Sequence, residues 1–262
     1  MNTRRIVALG GTEALAFLQG LVSNDVLPLA KGPGLIWTAL LTPQGKYLAD
    51  FFVGRSAQPD AQGLFLDMAE VLADATLRRL MLYRLRADVT LTAADMAVTR
   101  GLGAAPPGAL PDPRHPALGW RRYAAPGVAR AGGPEAAVGP EAAVDWDAIR
   151  VAHLIPESGV ELIPDESYLL ESGFERLHGV DFRKGCYVGQ EVTARMKHKT
   201  ELRKGLALVT VEGAAPVGTP ILAEGREVGR LFTQSGGRAI AHLRLDKAEG
   251  EMWAADARVR RI

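Results

Sequence analysis

The sequence has almost no cysteine. One residue in 262, Cys186, rules out a disulfide within the chain. It also rules out an all-cysteine zinc or iron–sulfur site built from one copy. We assign no metal site, and the absence of disulfides suits a reducing compartment, expected to be the cytoplasm. Long apolar runs are missing too. The N-terminus reads M-N-T-R-R-I-V-A-L-G and turns polar by Gly10, so neither a signal peptide nor a membrane span is expected. Charge of one sign is equally scarce. The 31 Lys and Arg against 30 Asp and Glu leave a net +1, which gives no ground for direct nucleic-acid binding. No G-x-G-x-x-G follows a strand pattern, so a dinucleotide fold lacks support. No internal repeat of fixed period is present.

What remains is a chain of ordinary globular composition, 47% hydrophobic and 23% charged, long enough for one large domain or two to three small ones. Residues 4 to 9 read as a strand. After the Gly10-Gly11 turn, Thr12 is placed to cap a helix carrying Leu15, Leu18, Leu21 and Val22 on one face. That helix gives out at Ser23-Asn24-Asp25. Leu35, Trp37, Ala39 and Leu41 alternate as in a half-buried strand, Thr42 to Gly45 turn, and Lys46 to Val53 return. Leu64 to Met68 is a strand, Ala69 to Leu85 a helix and Arg86 to Thr92 a strand. From 104 to 140 prolines, alanines and glycines crowd the chain, so 104–116 and 131–140 read as loops with a strand from Trp120 to Tyr123 between them. Asp145 is placed to cap the helix Trp146–Leu154, which must end before Pro156. Beyond Leu202, short strands between glycine turns (206–211, 220–223, 227–233, 239–243, 257–262) predict a small antiparallel barrel. The class is α+β: two mainly antiparallel α+β domains, 1–95 and 96–200, which may interleave, and a C-terminal barrel, 201–262.

The stretch that carries chemistry is F-R-K-G-C-Y-V-G-Q-E-V-T-A-R-M-K-H-K, residues 182–199. Gly185 and Gly189 flank the cysteine, and the run Gln190–Met196 suits a helix with Glu191 and Arg195 paired at i,i+4. A glycine turn feeding a helix N-terminus directs N–H groups and positive potential at its contents. A thiol there, near Arg183 and Lys184, is expected to ionise more easily than a free one. Between 183 and 204 stand seven Lys or Arg and two acids, an excess able to hold an anionic ligand tail or an acidic partner.

K-G-C-Y-V-G-Q-E, Lys184 to Glu191, resembles the signature of the YgfZ family. These are folate-binding relatives of the glycine-cleavage T-protein, an aminomethyltransferase, linked to assembly and repair of iron–sulfur proteins and to tRNA modification. The stretch G-T-E-A-L-A-F-L-Q-G-L-V-S-N-D-V, the 35–53 hairpin and I-R-V-A-H-L-I-P-E are similar to the same family. The resemblance implies three domains in a ring around a ligand site holding tetrahydrofolate or another reduced folate. It implies a functional thiol at Cys186 supported by Lys184 and Glu191, with Gly185, Tyr187, Gly189, Gln190 and Arg195 completing the motif. Asn24, Asp25 and Asp50 become the expected partners of the polar pterin edge, and Trp37 of its face. Iron–sulfur proteins or cluster-assembly proteins become the expected partners, with no membrane involved. Two departures count against aminomethyl transfer. Ala49 and Ala152 stand where the T-protein pattern has acids. An aminomethyltransferase is therefore the second reading, and a non-catalytic scaffold whose cysteine only packs is the third.

Overall fold

A computed structural model describes residues 3–56, 63–125, 144–198 and 201–262. The first sheet runs β1 (Arg4–Gly10), β2 (Gly34–Leu41), β3 (Tyr47–Arg55), β4 (Leu64–Ala69) and β5 (Thr90–Ala93). Its spatial order is β2-β3-β4-β1-β5, with every pairing antiparallel. Two helices belong to it, α1 (Ala14–Gln19) and α2 (Glu70–Arg84). A small second sheet joins β6 (Ala97–Gly101), β7 (Leu110–Pro111) and β8 (Trp120–Ala124) in the order β6-β8-β7. Helices α3 (Trp146–His153) and α4 (Gln190–Lys197) follow. The chain ends in a closed antiparallel barrel of β9 (Lys204–Glu212), β10 (Pro220–Ala223), β11 (Arg226–Ser235), β12 (Arg238–Arg244), β13 (Met252–Ala254) and β14 (Ala257–Arg261). The α+β class and the barrel are as expected. No helix among the described residues is long and apolar enough to cross a membrane.

Several local expectations give way. Thr12 does not cap α1. Its N–H and hydroxyl both bond Asp88 at 2.8 Å, so the helix starts later and spans only six residues. Leu21 and Val22 lie beyond it, buried where Val22 bridges Leu40. Strand β5 begins at Thr90 instead of Arg86, and β6, β7 and β13 were not anticipated, β7 falling inside the expected 104–116 loop. The 131–140 loop lies outside the described residues. Asp145 does cap α3, accepting from Ala148 N at 2.9 Å.

The β2–β3 hairpin is covered on both sides, not half-buried. Leu40, Phe51 and Val53 join a core with α1 and α2. Trp37, Ala39 and Phe52 join a second core with Phe174, Leu177 and Tyr187, contributed from much later in the chain. Burial on both faces explains why alternation was a poor guide here.

Where the two sheets meet, a carboxylate is buried. Asp67 on β4 is 0% exposed and accepts from Arg4 Nε at 2.7 Å and the Tyr123 hydroxyl at 2.8 Å, with Arg121 Nη2 at 3.3 Å. Burial alone would raise its pKa, but Arg4 and Arg121 outweigh that and hold it below the usual carboxylate range. Asp67→Asn should lower unfolding free energy by about 3–5 kcal/mol, because two arginines lose their shared anion. Urea titration measures this. The wild-type contribution should be present at neutral pH and fade below about pH 4, so the difference from the variant should shrink in acid.

Candidate functional site

The cysteine loop is pinned at two points and open between them. Lys184 is 9% exposed, and its ammonium donates to Gln19 O at 2.8 Å and to Val22 O. These carbonyls lie at and just past the end of α1, so Lys184 serves as a C-terminal cap. Burial pushes its pKa down to about 8 against the opposing pull of Asp25 and Asp181. The ammonium also lies 4.9 Å from the ring centre of Tyr187, itself buried in the second core. The other pin is Gly189, at φ +83° just before α4. A Cβ there would stand 2.5 Å from Thr42 O. Across the contact, a Cβ on Gly45 would meet Val192 Cβ at 2.7 Å. The motif and the β2–β3 turn therefore interlock glycine to glycine, with clearance no other residue leaves.

Between these pins Gly185 and Cys186 are exposed. Gly185 avoids the left-handed region, and a Cβ there would meet nothing within 4 Å, so only one of the two flanking glycines is required by the backbone. Arg183 projects into solvent with its side chain 96% exposed, 4.0 Å from Asp181. Lys184 is committed to backbone carbonyls, so its part in the site is to anchor the loop. Gln190 N bonds Tyr187 O at 3.2 Å, closing the turn into α4. Glu191 and Arg195 are exposed on α4, and the expected ion pair between them is not formed among the described residues. Lys199 lies outside those residues.

The expected pterin contacts divide between two places. Asn24 donates to Trp37 O at 2.8 Å and His178 O at 2.7 Å, and Asp25 accepts from Gln19 Nε2 at 3.0 Å and Leu27 N at 3.1 Å. Both line an open cleft that runs to Phe182 and Arg183, just before the cysteine. Asp50 instead lines a cavity of about 340 Å³ between the first sheet, the second sheet and α3. It is 4% exposed and accepts from Trp37 Nε1 at 2.8 Å, the Tyr47 hydroxyl at 2.6 Å and the Ser158 hydroxyl at 2.6 Å. Burial and the Asp50 charge raise the Tyr47 pKa well above its ordinary value, keeping it a donor. Trp37 is wholly buried and stacks on Phe174 with centroids 4.1 Å apart, so it offers no free face in this arrangement. Ala152 is exposed on α3 and takes no part in the cavity wall, whose nearby acids are Asp147 and Glu157.

Sequence reasoning missed the arginines of this cavity. Arg4, Arg114 and Arg121 lie over the Phe52 ring at 5.7, 5.0 and 4.2 Å from its centroid, and Arg100 lies 4.3 Å over Trp146. Arg114 binds Asp112 through Nε at 2.9 Å and Nη2 at 2.8 Å. Burial raises the Asp112 pKa, but Arg114 and Arg121 bring it below the usual range. The one available signal was the W-R-R-Y strand, whose alternation puts Arg121 and Tyr123 on one face. Their shared anion, Asp67, lies 54 and 56 residues earlier in sequence, beyond any local pattern.

Comparison with known proteins fits this geometry. The chain superimposes on glycine cleavage system aminomethyltransferase T from Bartonella henselae with a TM-score of 0.70, at 13% identity, over 99% of this chain and 82% of that one. The fold is that of an aminomethyltransferase T. Residues 203–262 match the model of the CAF17 C-terminal beta-barrel domain. In sequence the chain is 30% identical to the mitochondrial iron–sulfur cluster assembly factor IBA57 homolog of Mycosarcoma maydis, over 92% of its own length. It is 28% identical to the human mitochondrial IBA57 over 96%. It spans 63% of the Mycosarcoma protein and 78% of the human one. These relatives are named mitochondrial, which overturns the cytoplasmic expectation. A free cysteine reports only that no disulfide is needed and does not tell one reducing compartment from another.

Two substitutions check the loop. Gly189→Ala should cost about 1–3 kcal/mol or more, from a positive φ and a clash with Thr42, as read by the denaturation midpoint. Lys184→Met should destabilise by uncapping α1, and its deficit should depend on pH. The unfolded chain binds more protons at Lys184 between about pH 8 and 10.5, so the wild type gains relative to the variant across that window. Thermal midpoints of both proteins at pH 8 and pH 10 would display the widening gap.

Proposed function

We propose that this chain is an accessory factor in the assembly or repair of iron–sulfur proteins. In this reading it carries a reduced folate in the central cavity and uses Cys186 as its working thiol. The observation that carries the reading is the placement of Cys186. The thiol is exposed on a loop held rigid by Lys184 on α1 and Gly189 on the hairpin turn. An exposed cysteine has no packing duty, which argues against the scaffold reading. The names of the sequence relatives and the resemblance of K-G-C-Y-V-G-Q-E to the YgfZ signature support the same conclusion.

One sulfur holds no cluster alone. The cluster, as cargo, would be met by Cys186 together with ligands from a partner protein or a second copy. The exposure of Arg183 beside the thiol suits an acidic partner surface.

The cavity fits a folate. Its volume lies in the range of small-molecule sites. Asp50 and Glu157 offer acceptors to the N–H-rich pterin edge, and the arginines around Phe52 offer donors to carboxylates. The indole N–H of Trp146, in the cavity wall, is buried and has no hydrogen-bond partner among the described residues, as expected of a group kept for a ligand. A bound reduced folate would supply a one-carbon carrier. The chain's own residues would hold and orient it and exclude water. The T-protein fold and the position of Asp50 favour aminomethyl transfer as a second reading, but Ala49 leaves that site without the neighbouring acid.

Cys186→Ala should leave the thermal midpoint within a degree or two and abolish support of iron–sulfur enzymes in cells lacking the wild-type protein. A large drop in midpoint with function retained would make the cysteine a packing residue. Titration of tetrahydrofolate into the pure protein should give saturable heat, and no binding at millimolar ligand would defeat the folate part. Formation of methylene-tetrahydrofolate from an aminomethyl-loaded carrier, at the rate of an aminomethyltransferase, would put the second reading first.

A further inference from the structure

Part of the cavity wall is a loop. Residues 112–119 join β7 to β8, and two of them, Arg114 and Leu118, line the cavity. Arg114 lies over the Phe52 ring, and Leu118 is buried in the second core. The loop contains a single 3₁₀ turn, Pro116–Leu118, and His115 is its N-cap. His115 Nδ1 accepts from Ala117 N at 3.1 Å. Only an unprotonated ring nitrogen has a lone pair for this bond. The cap belongs to the neutral imidazole and is lost in the imidazolium.

The groups around His115 oppose that change. From α3, His153 stacks on it, with ring centres 4.3 Å apart and planes at 32°. From the 172–179 segment, Arg176 and His178 act on it as further cationic neighbours. Arg176 is fixed there, donating to His153 O at 3.0 Å and Leu154 O at 2.6 Å. The acids at hand are already matched. Asp112, on the same loop, pairs with Arg114 at 2.8 Å and with Arg121 at 4.0 Å, and Glu175 pairs with Lys197. Burial first, then His153, Arg176 and His178, hold the His115 pKa below the ordinary histidine value.

We propose that His115 is an acid-released clasp on this wall. A proton taken from solvent at Nδ1 removes the acceptor of Ala117 N–H and sets a charged ring against the His153 ring and Arg176. Residues 112–119 then loosen, withdrawing Arg114 and Leu118 and opening the cavity on that side. The sign follows from the neutral ring being the closed form. The freed loop binds the proton more readily than the closed one. Closure is therefore fully favoured above about pH 6.5 and weakens as pH falls below it. The device is indifferent to which ligand the cavity holds.

The test is amide hydrogen exchange of the full chain by NMR at pH 7.5 and pH 5.5, corrected for the intrinsic pH dependence of exchange. In the wild type, protection of Ala117, Leu118 and Gly119 N–H should fall by up to about tenfold per pH unit below 6.5, while β3 keeps its protection. His115→Asn retains a capping acceptor and does not titrate, so its loop should be equally protected at both pH values. In the wild type alone, the midpoint of the loss should coincide with the titration of the His115 ring. The clasp is overturned if loop protection is insensitive to pH, if His115→Asn loses as much as the wild type, or if β3 loosens in parallel. A midpoint that follows another histidine would overturn it too.

Discussion

A carboxylate withdrawn from water needs donors, and three of the buried carboxylates tie distant segments of this fold together. Asp50 collects hydrogen bonds from β2, β3 and the segment after α3. Asp67 draws β1 and β8 onto β4. Glu161 gathers Arg150 of α3, the backbone N–H of Glu157 and Thr233 of the barrel. Each anion is nearly or wholly inaccessible, and removing any one donor leaves charge stranded in a poor solvent. Segments far apart in sequence are thereby held to one arrangement. The cavity forms where those segments meet, so the site and the stability of the fold share the same residues.

Much of the architecture was readable in advance. The barrel strands announced themselves through short apolar alternations between glycine turns, and the return of β3 through Thr42-Pro43-Gln44-Gly45. The cap at Asp145 followed from a side chain with one local task. Features decided by distant partners were opaque. Thr12 carries an N-cap's chemistry, but Asp88 on another loop recruits it. Trp37 has the alternation of a half-solvated strand, yet Phe174 and Tyr187 arrive 137 and 150 residues later to cover it.

The candidate site divides along the same line. Cys186 was conspicuous because polar neighbours between two glycines make poor core. The task of Lys184 was not, since nothing local says that its ammonium ends on the carbonyls of α1. Asp50 could be marked as a buried acid from the apolar run that follows it. Its place in a cavity ringed by arginines required β6, β8 and α3 to be set beside β3, and none of these pairings has a local signature.

Thr233 lies within the irregularity of β11, between Leu231 and Gln234, where the register against β12 shifts. A bulge re-aims the side chain it carries, and here the hydroxyl reaches Glu161 while Arg150 closes the triangle. The barrel is thus keyed to the body by a defect in its own ladder. A perfectly regular β11 would make a tidier barrel with one anchor fewer, leaving bonds such as Leu206 N to Glu171 O to hold it. Residues 203–262 are recognisable as a module by sequence, but the irregular strand inside them acts as a latch that makes sense only with Glu161 opposite.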